Sequence, residues 1–123
     1  MQHGFNAYAS ASRATQAVVS PRELEASLLI KAASRLQAIA DDWSLAERDL
    51  DEALNYNRKL WTLLVSAVIA EDNPLPVGIK TNILSLANFI FNQTFKVAAN
   101  PTREGLPVLV SINRDIAAGL RGR

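Results

Sequence analysis

Apolar residues recur along most of this chain at intervals of three and four, the period of an α-helix. No stretch alternates in twos between Asn-Gly or Asp-Gly turns, as a β-hairpin would require. Five helices are predicted. The first spans roughly Phe5 to Val18, with a thin apolar face of Phe5, Tyr8, Ala11, Ala14 and Val18 in a stretch rich in alanine and serine. Ser20-Pro21-Arg22-Glu23 then spells a helix start: Ser20 as N-cap, Pro21 at the first helical position, and Glu23 as the capping-box carboxylate. The second helix puts Leu24, Leu28, Ala32, Leu36 and Ile39 on one face and fades near Asp41-Asp42, with Trp43 packing just beyond.

A third helix is expected to start at Asp49 to Asp51, where carboxylates complement the positive end of the helix dipole, and to run to about Ala70. Its seam is Leu50, Leu54, Asn57, Trp61, Leu64 and Val68, flanked by Tyr56, Leu60, Leu63 and Ala67, which amounts to nearly two buried faces. The prolines of Asn73-Pro74-Leu75-Pro76 break the pattern. The fourth helix, about Val77 to Ala99, carries one stripe of Ile79, Ile83, Leu86, Ile90 and Val97 and another of Leu84, Phe91 and Phe95. So wide an apolar surface places it either centrally or against a partner. After Asn100-Pro101-Thr102-Arg103, a fifth helix from about Glu104 to Leu120 presents Leu106, Leu109, Ile112, Ile116 and Leu120; Pro107 suits its first turn, and Gly119 and Gly122 its fraying end.

The expectation is an all-α fold, a compact bundle of four to five helices within one domain over residues 1–123. The second, third and fourth helices should form most of the core, with the fifth packed across them. Residues 1–19 form an N-terminal segment that the sequence leaves between a docked helix and a mobile arm. At 123 residues, with 49% hydrophobic and 20% charged residues, the chain has the composition of a folded protein.

Charge changes this picture little: thirteen basic and twelve acidic residues leave a net charge of +1, too small to attract nucleic acid or an anionic membrane generally. Residues 1–72 hold seven basic and ten acidic residues, residues 73–123 six and two, so the C-terminal part is mildly basic. With no cysteine there is no disulfide or thiolate chemistry, which suits the cytoplasm. Residues 1–12 lack the apolar core of a signal peptide, and no run reaches the ~18 apolar residues of a membrane span.

Four blocks resemble the FlaF family across nearly the whole chain. They are Ser20-Pro21-Arg22-Glu23-Leu24-Glu25; the run from Leu50-Asp51-Glu52-Ala53-Leu54 through Asn55-Tyr56-Asn57-Arg58-Lys59-Leu60-Trp61; Asn73-Pro74-Leu75-Pro76 with Ser85-Leu86; and Ile112-Asn113-Arg114 with Ile116-Ala117-Gly119-Leu120. Order and spacing agree as well. The resemblance implies a cytoplasmic flagellar-biogenesis factor that works with flagellin and with the regulator FlbT to promote flagellin synthesis and secretion. In the leading form it is a chaperone or export adaptor holding a terminal segment of flagellin as a helix in an apolar groove. The alternatives are a post-transcriptional regulator acting with FlbT on flagellin mRNA, and a scaffold joining flagellar proteins.

The candidate partner-binding residues are Asn57, Arg58, Trp61, Phe89, Phe91, Phe95, Asn113 and Arg114. Trp61 suits either the core or a binding hot spot. Asn57 and Asn113 fall on apolar seams, where an amide must find hydrogen bonds, either within the bundle or on a partner's backbone. Leu86 and Ile90 read as core, with Phe89, Phe91 and Phe95 shared between core and groove. Arg58, Lys59, Arg103 and Arg114 are solvated charges or contacts to acidic flagellin side chains. Direct RNA binding is not expected, because the phenylalanines of the fourth helix have only Lys96 near them. No enzymatic activity, cofactor or metal is expected: His3 is the only histidine, the carboxylates gather at helix starts, and five glycines form no phosphate-binding fingerprint.

Overall fold

A computed structural model describes residues 20–122. The helix expected over Phe5–Val18 lies outside the described residues. Four α-helices follow: α1 (Pro21–Asp41), α2 (Ala46–Ile69), α3 (Val77–Ala99) and α4 (Pro107–Leu120), with short 3-10 turns at Trp43–Leu45 and Arg103–Gly105. No strand occurs among the described residues. The chain is an all-α bundle, as its periodicity requires.

Each boundary has a local cause. At the start of α1 the Ser20 hydroxyl accepts the Glu23 backbone N–H at 3.1 Å, and Pro21 occupies the first turn, where no amide donor is needed. The Glu23 carboxylate accepts a bidentate pair of hydrogen bonds from Arg121, the shorter at 2.7 Å, and so ties the beginning of α1 to the residue after α4. α2 begins three residues before the expected carboxylate cluster. The Asp42 side chain accepts from the Ser44 N–H and hydroxyl, which tightens the chain into a 3-10 turn that runs directly into Ala46. Asn73 ends α2 by donating to the Ala67 carbonyl and accepting from Leu75 N–H, and this turn inserts Leu75 into the core.

The last helix starts at Pro107 rather than Glu104, because Arg103–Gly105 forms a separate turn against α3. Gln93 of α3 donates to the Gly105 carbonyl at 3.0 Å, and a Cβ on Gly105 would stand 2.6 Å from a Val97 methyl. Only glycine permits so close a crossing. Gly122 adopts a positive φ of 79° just past α4, as a terminating glycine does.

The layering differs from expectation. α4 lies most extensively against α1, α2 packs on α1, and α3 packs on α2 while touching α4 only lightly. Alanines make the α1–α4 approach possible: Ala26, Ala32 and Ala33 are buried on α1 among Leu29 and Leu36, and α4, which packs against this helix, buries Leu109, Val110, Ile116 and Ala117. The fourth predicted helix is therefore peripheral, not central. Only Ile83, Ala87, Ile90, Thr94 and Val97 of α3 are buried. The seam read for α2 is buried in full, but its second flank is not: Leu60 is enclosed, Tyr56 and Ala67 are half-buried, and Leu63 is 68% exposed. On α1, Leu24 is also exposed and Leu29 takes the core position, since the alanines rotate the helix toward α4.

Candidate functional site

The eight candidate residues separate into a buried group and a surface group. Trp61, Asn57 and Asn113 have no solvent-exposed surface. The indole N–H of Trp61 donates to Asn113 Oδ1 at 2.9 Å, and Asn113 Nδ2 donates to Asn57 Oδ1 at 2.7 Å and to the Leu29 carbonyl at 3.2 Å. One amide thus joins α1, α2 and α4. Of the two readings open to these three residues, core or partner, their burial and hydrogen bonds fit the internal one: their polar atoms are directed into the core. Asn57 Nδ2 has no protein acceptor, so the network is satisfied at every polar atom but this one.

Three of the surface group, Arg58, Phe91 and Phe95, converge on a groove between α2 and α3, with a volume of about 460 Å³. α2 contributes Asp51, Leu54, Asn55 and Arg58; α3 contributes Phe91, Thr94, Phe95 and Ala98. The Thr94 hydroxyl returns to its own helix, donating to the Ile90 carbonyl at 2.6 Å, so it makes no polar demand on the groove. Arg58 is braced by Asn55 Oδ1, which accepts from its Nε and Nη2 at 3.3 and 3.0 Å. The result is an apolar floor and wall of Leu54, Phe91 and Ala98, with Asp51 and Arg58 on the α2 rim.

Phe95 stands at the edge of this groove, 75% exposed, and also lines a second hollow of about 490 Å³ with Gln93, Lys96 and Thr102. An aromatic ridge between two hollows is a surface a partner can grip from both sides. Phe89, 42% exposed, points away from both hollows, and Arg114 is exposed on α4 apart from them. Of the eight candidates, then, Arg58, Phe91 and Phe95 come together. Leu54 was read as seam and proves to be the groove floor, while Asp51, Asn55, Thr94 and Ala98 were not singled out. For Ala98 a signal was present: Phe91, Phe95 and Ala98 follow one another at intervals of four and three along the flank of α3.

Titration behaviour is perturbed away from this groove. Burial pushes the Glu25 carboxyl above its ordinary value, with the nearby Arg22 charge opposing. Hydrogen bonding to Arg48 holds Asp49 below the usual carboxylate range. Among the described residues, no group of three or more His, Cys, Asp or Glu is placed to hold a metal ion, and no helix is long and apolar enough to cross a membrane.

Fold and surface together define a class: a small helical bundle whose outer helix presents an apolar interhelical groove with an aromatic ridge. Within that class, the sequence pattern of the family described as flagellar protein FlaF matches residues 5–120, nearly the whole chain, and this protein belongs to that family. Neither a curated protein nor a solved structure shows significant similarity to it.

Proposed function

We propose that this FlaF-family protein is a cytoplasmic flagellin-binding chaperone or export adaptor, which holds a terminal segment of flagellin as an amphipathic helix in the α2–α3 groove. The observation that carries this reading is Phe95, three-quarters exposed at the edge of a concave apolar surface. A helix laid in the groove would bury Phe95 and Phe91 with apolar residues spaced three and four apart. Enclosing an exposed phenylalanine contributes about 1.5–3 kcal/mol, so Phe95 is the main apolar contribution toward the ~8 kcal/mol of a micromolar complex, half-buried Phe91 adds less, and Leu54, already buried, shapes the floor rather than adding area. FlbT is a functional partner in this reading, and flagellin is the direct client.

The test compares wild type with Phe95→Asp in binding to purified flagellin. Because Phe95 is on the surface, the variant should melt within about 1 kcal/mol of wild type. It should bind flagellin at least tenfold more weakly. A variant that binds flagellin as wild type does would remove the groove from the client site.

A further inference from the structure

A second apolar surface lies on the opposite flank of α2, where it meets α1. Leu28, Leu29, Leu60 and Leu64 form a shallow, mostly apolar hollow of about 90 Å³, with Leu63 and the half-buried Glu25 also lining it, and Leu24 stands exposed one turn before Leu28 on the same face of α1. Going along α1, the surface changes character within two turns. Lys31 and Arg35 both lie over the Tyr56 ring of α2, Arg35 Cζ at 4.5 Å and Lys31 Nζ at 5.9 Å from its centroid. Lys59 is exposed one turn from Tyr56. None of these three cations forms an ion pair within 4 Å among the described residues. Past them the surface turns acidic with Glu52 and Asp49, of which Asp49 is engaged by Arg48 at 2.8 Å.

We infer that the α1–α2 face binds a second protein segment, distinct from the occupant of the α2–α3 groove: an amphipathic helix with an apolar stripe followed by acidic residues. Charge complementarity selects this occupant. Its apolar side chains cover Leu24, Leu28 and Leu63, and its carboxylates meet Lys31 and Arg35, which follow Leu24 and Leu28 by seven residues of α1, roughly 10 Å at helical rise, and Lys59, one turn before Leu63 on α2. The cations are preorganised, because stacking on Tyr56 has already restricted the Arg35 and Lys31 side chains. Glu52 and Asp49 limit the cationic stretch to the width of one or two carboxylates and repel an occupant whose acidic run is longer. With one binding face on each flank of α2, the bundle can hold two partners at once.

The experiment selects binders to the intact protein from a displayed library of helical peptides, and measures the recovered peptides against wild type, Leu63→Glu, Lys31→Glu/Arg35→Glu and Phe95→Asp. All substituted residues are on the surface, and thermal melts confirm that the variants fold. The expected result is a set of peptides with an apolar stripe and adjoining Asp or Glu that bind at least tenfold more weakly to Leu63→Glu and to the charge-reversed variant. Phe95→Asp should leave their binding unchanged, which keeps this face separate from the client groove. Failure to recover such peptides, or recovery of peptides indifferent to the charge reversal, overturns the inference. So does a dimer in sedimentation equilibrium that Leu63→Glu disperses, since that assigns the face to a second copy of the chain.

Discussion

Asn57 and Asn113 carry the same side chain on buried seams, yet the hydrogen bonds assign them unequal roles. Asn113 satisfies Trp61, Asn57 and the Leu29 carbonyl together, so Asn113→Leu leaves a buried indole N–H and a whole Asn57 amide without partners. Leaving buried polar groups unpaired costs about 1–3 kcal/mol each, and a loss of about 3 kcal/mol or more in chemical denaturation is expected. Asn57→Leu removes one acceptor but also removes the unpaired Nδ2, and should cost about 1 kcal/mol or less. Equal losses would contradict the network. Trp61→Ala, which also empties the largest fully buried side chain, should cost roughly 3–5 kcal/mol. The sequence showed that these residues sit on seams, but it could not show whether an amide on a seam turns inward to another helix or outward to a partner. That choice depends on which helix lies opposite, and α4 was expected to cross the core rather than lie along α1.

Glu25 offers a titration test at the same scale. Its pKa is raised by burial, so the folded state holds the proton to higher pH than the unfolded chain does. The unfolded chain loses its proton first as pH rises, and stability attributable to this group falls across that window. Glu25→Gln should therefore raise the melting temperature at neutral pH, and the gain should vanish below about pH 4, where both states are protonated. A gain independent of pH would point to another cause.

At the scale of the element, starts and stops were legible wherever chemistry is local. Ser20-Pro21 opens α1 as expected, and the two prolines before Val77 place α3 to the residue. Ser20→Ala should cost about 1 kcal/mol of stability through loss of the cap. The misplaced boundaries are those where a 3-10 turn leads into a helix. Asp42 with Ser44, and Gly105 with Gln93, are side-chain events that periodicity does not record. Gly105→Ala puts a methyl against Val97 and should destabilise by about 1–3 kcal/mol, as overpacking does. A neutral result would show that the turn can move away from α3.

Over the whole molecule, the all-α class follows from the 3.6-residue period, but the order of layers does not. α3 has the wider apolar surface and α1 the alanines, and hydropathy alone favoured α3 for the centre. Close packing favoured α1, because small residues let α4 approach along its length. The apolar side chains that α3 leaves outside are what make a groove, and Phe91 with Phe95 was legible as a flank of that helix before its neighbour was known. Arg58 was legible as a candidate contact, but its place across the groove beside Asp51 was not, since their meeting with α3 depends on the α2–α3 pairing.

Calorimetric titration of the protein with flagellin, and separately with peptides of each flagellin terminus, at low and high salt, tests the client groove most directly. Micromolar or tighter binding to one terminus, with a negative heat-capacity change and little dependence on salt, is the predicted result. Absence of binding by the folded protein would contradict direct chaperoning and shift the weight to regulation through FlbT, and binding that collapses with salt would replace apolar capture with charge contacts.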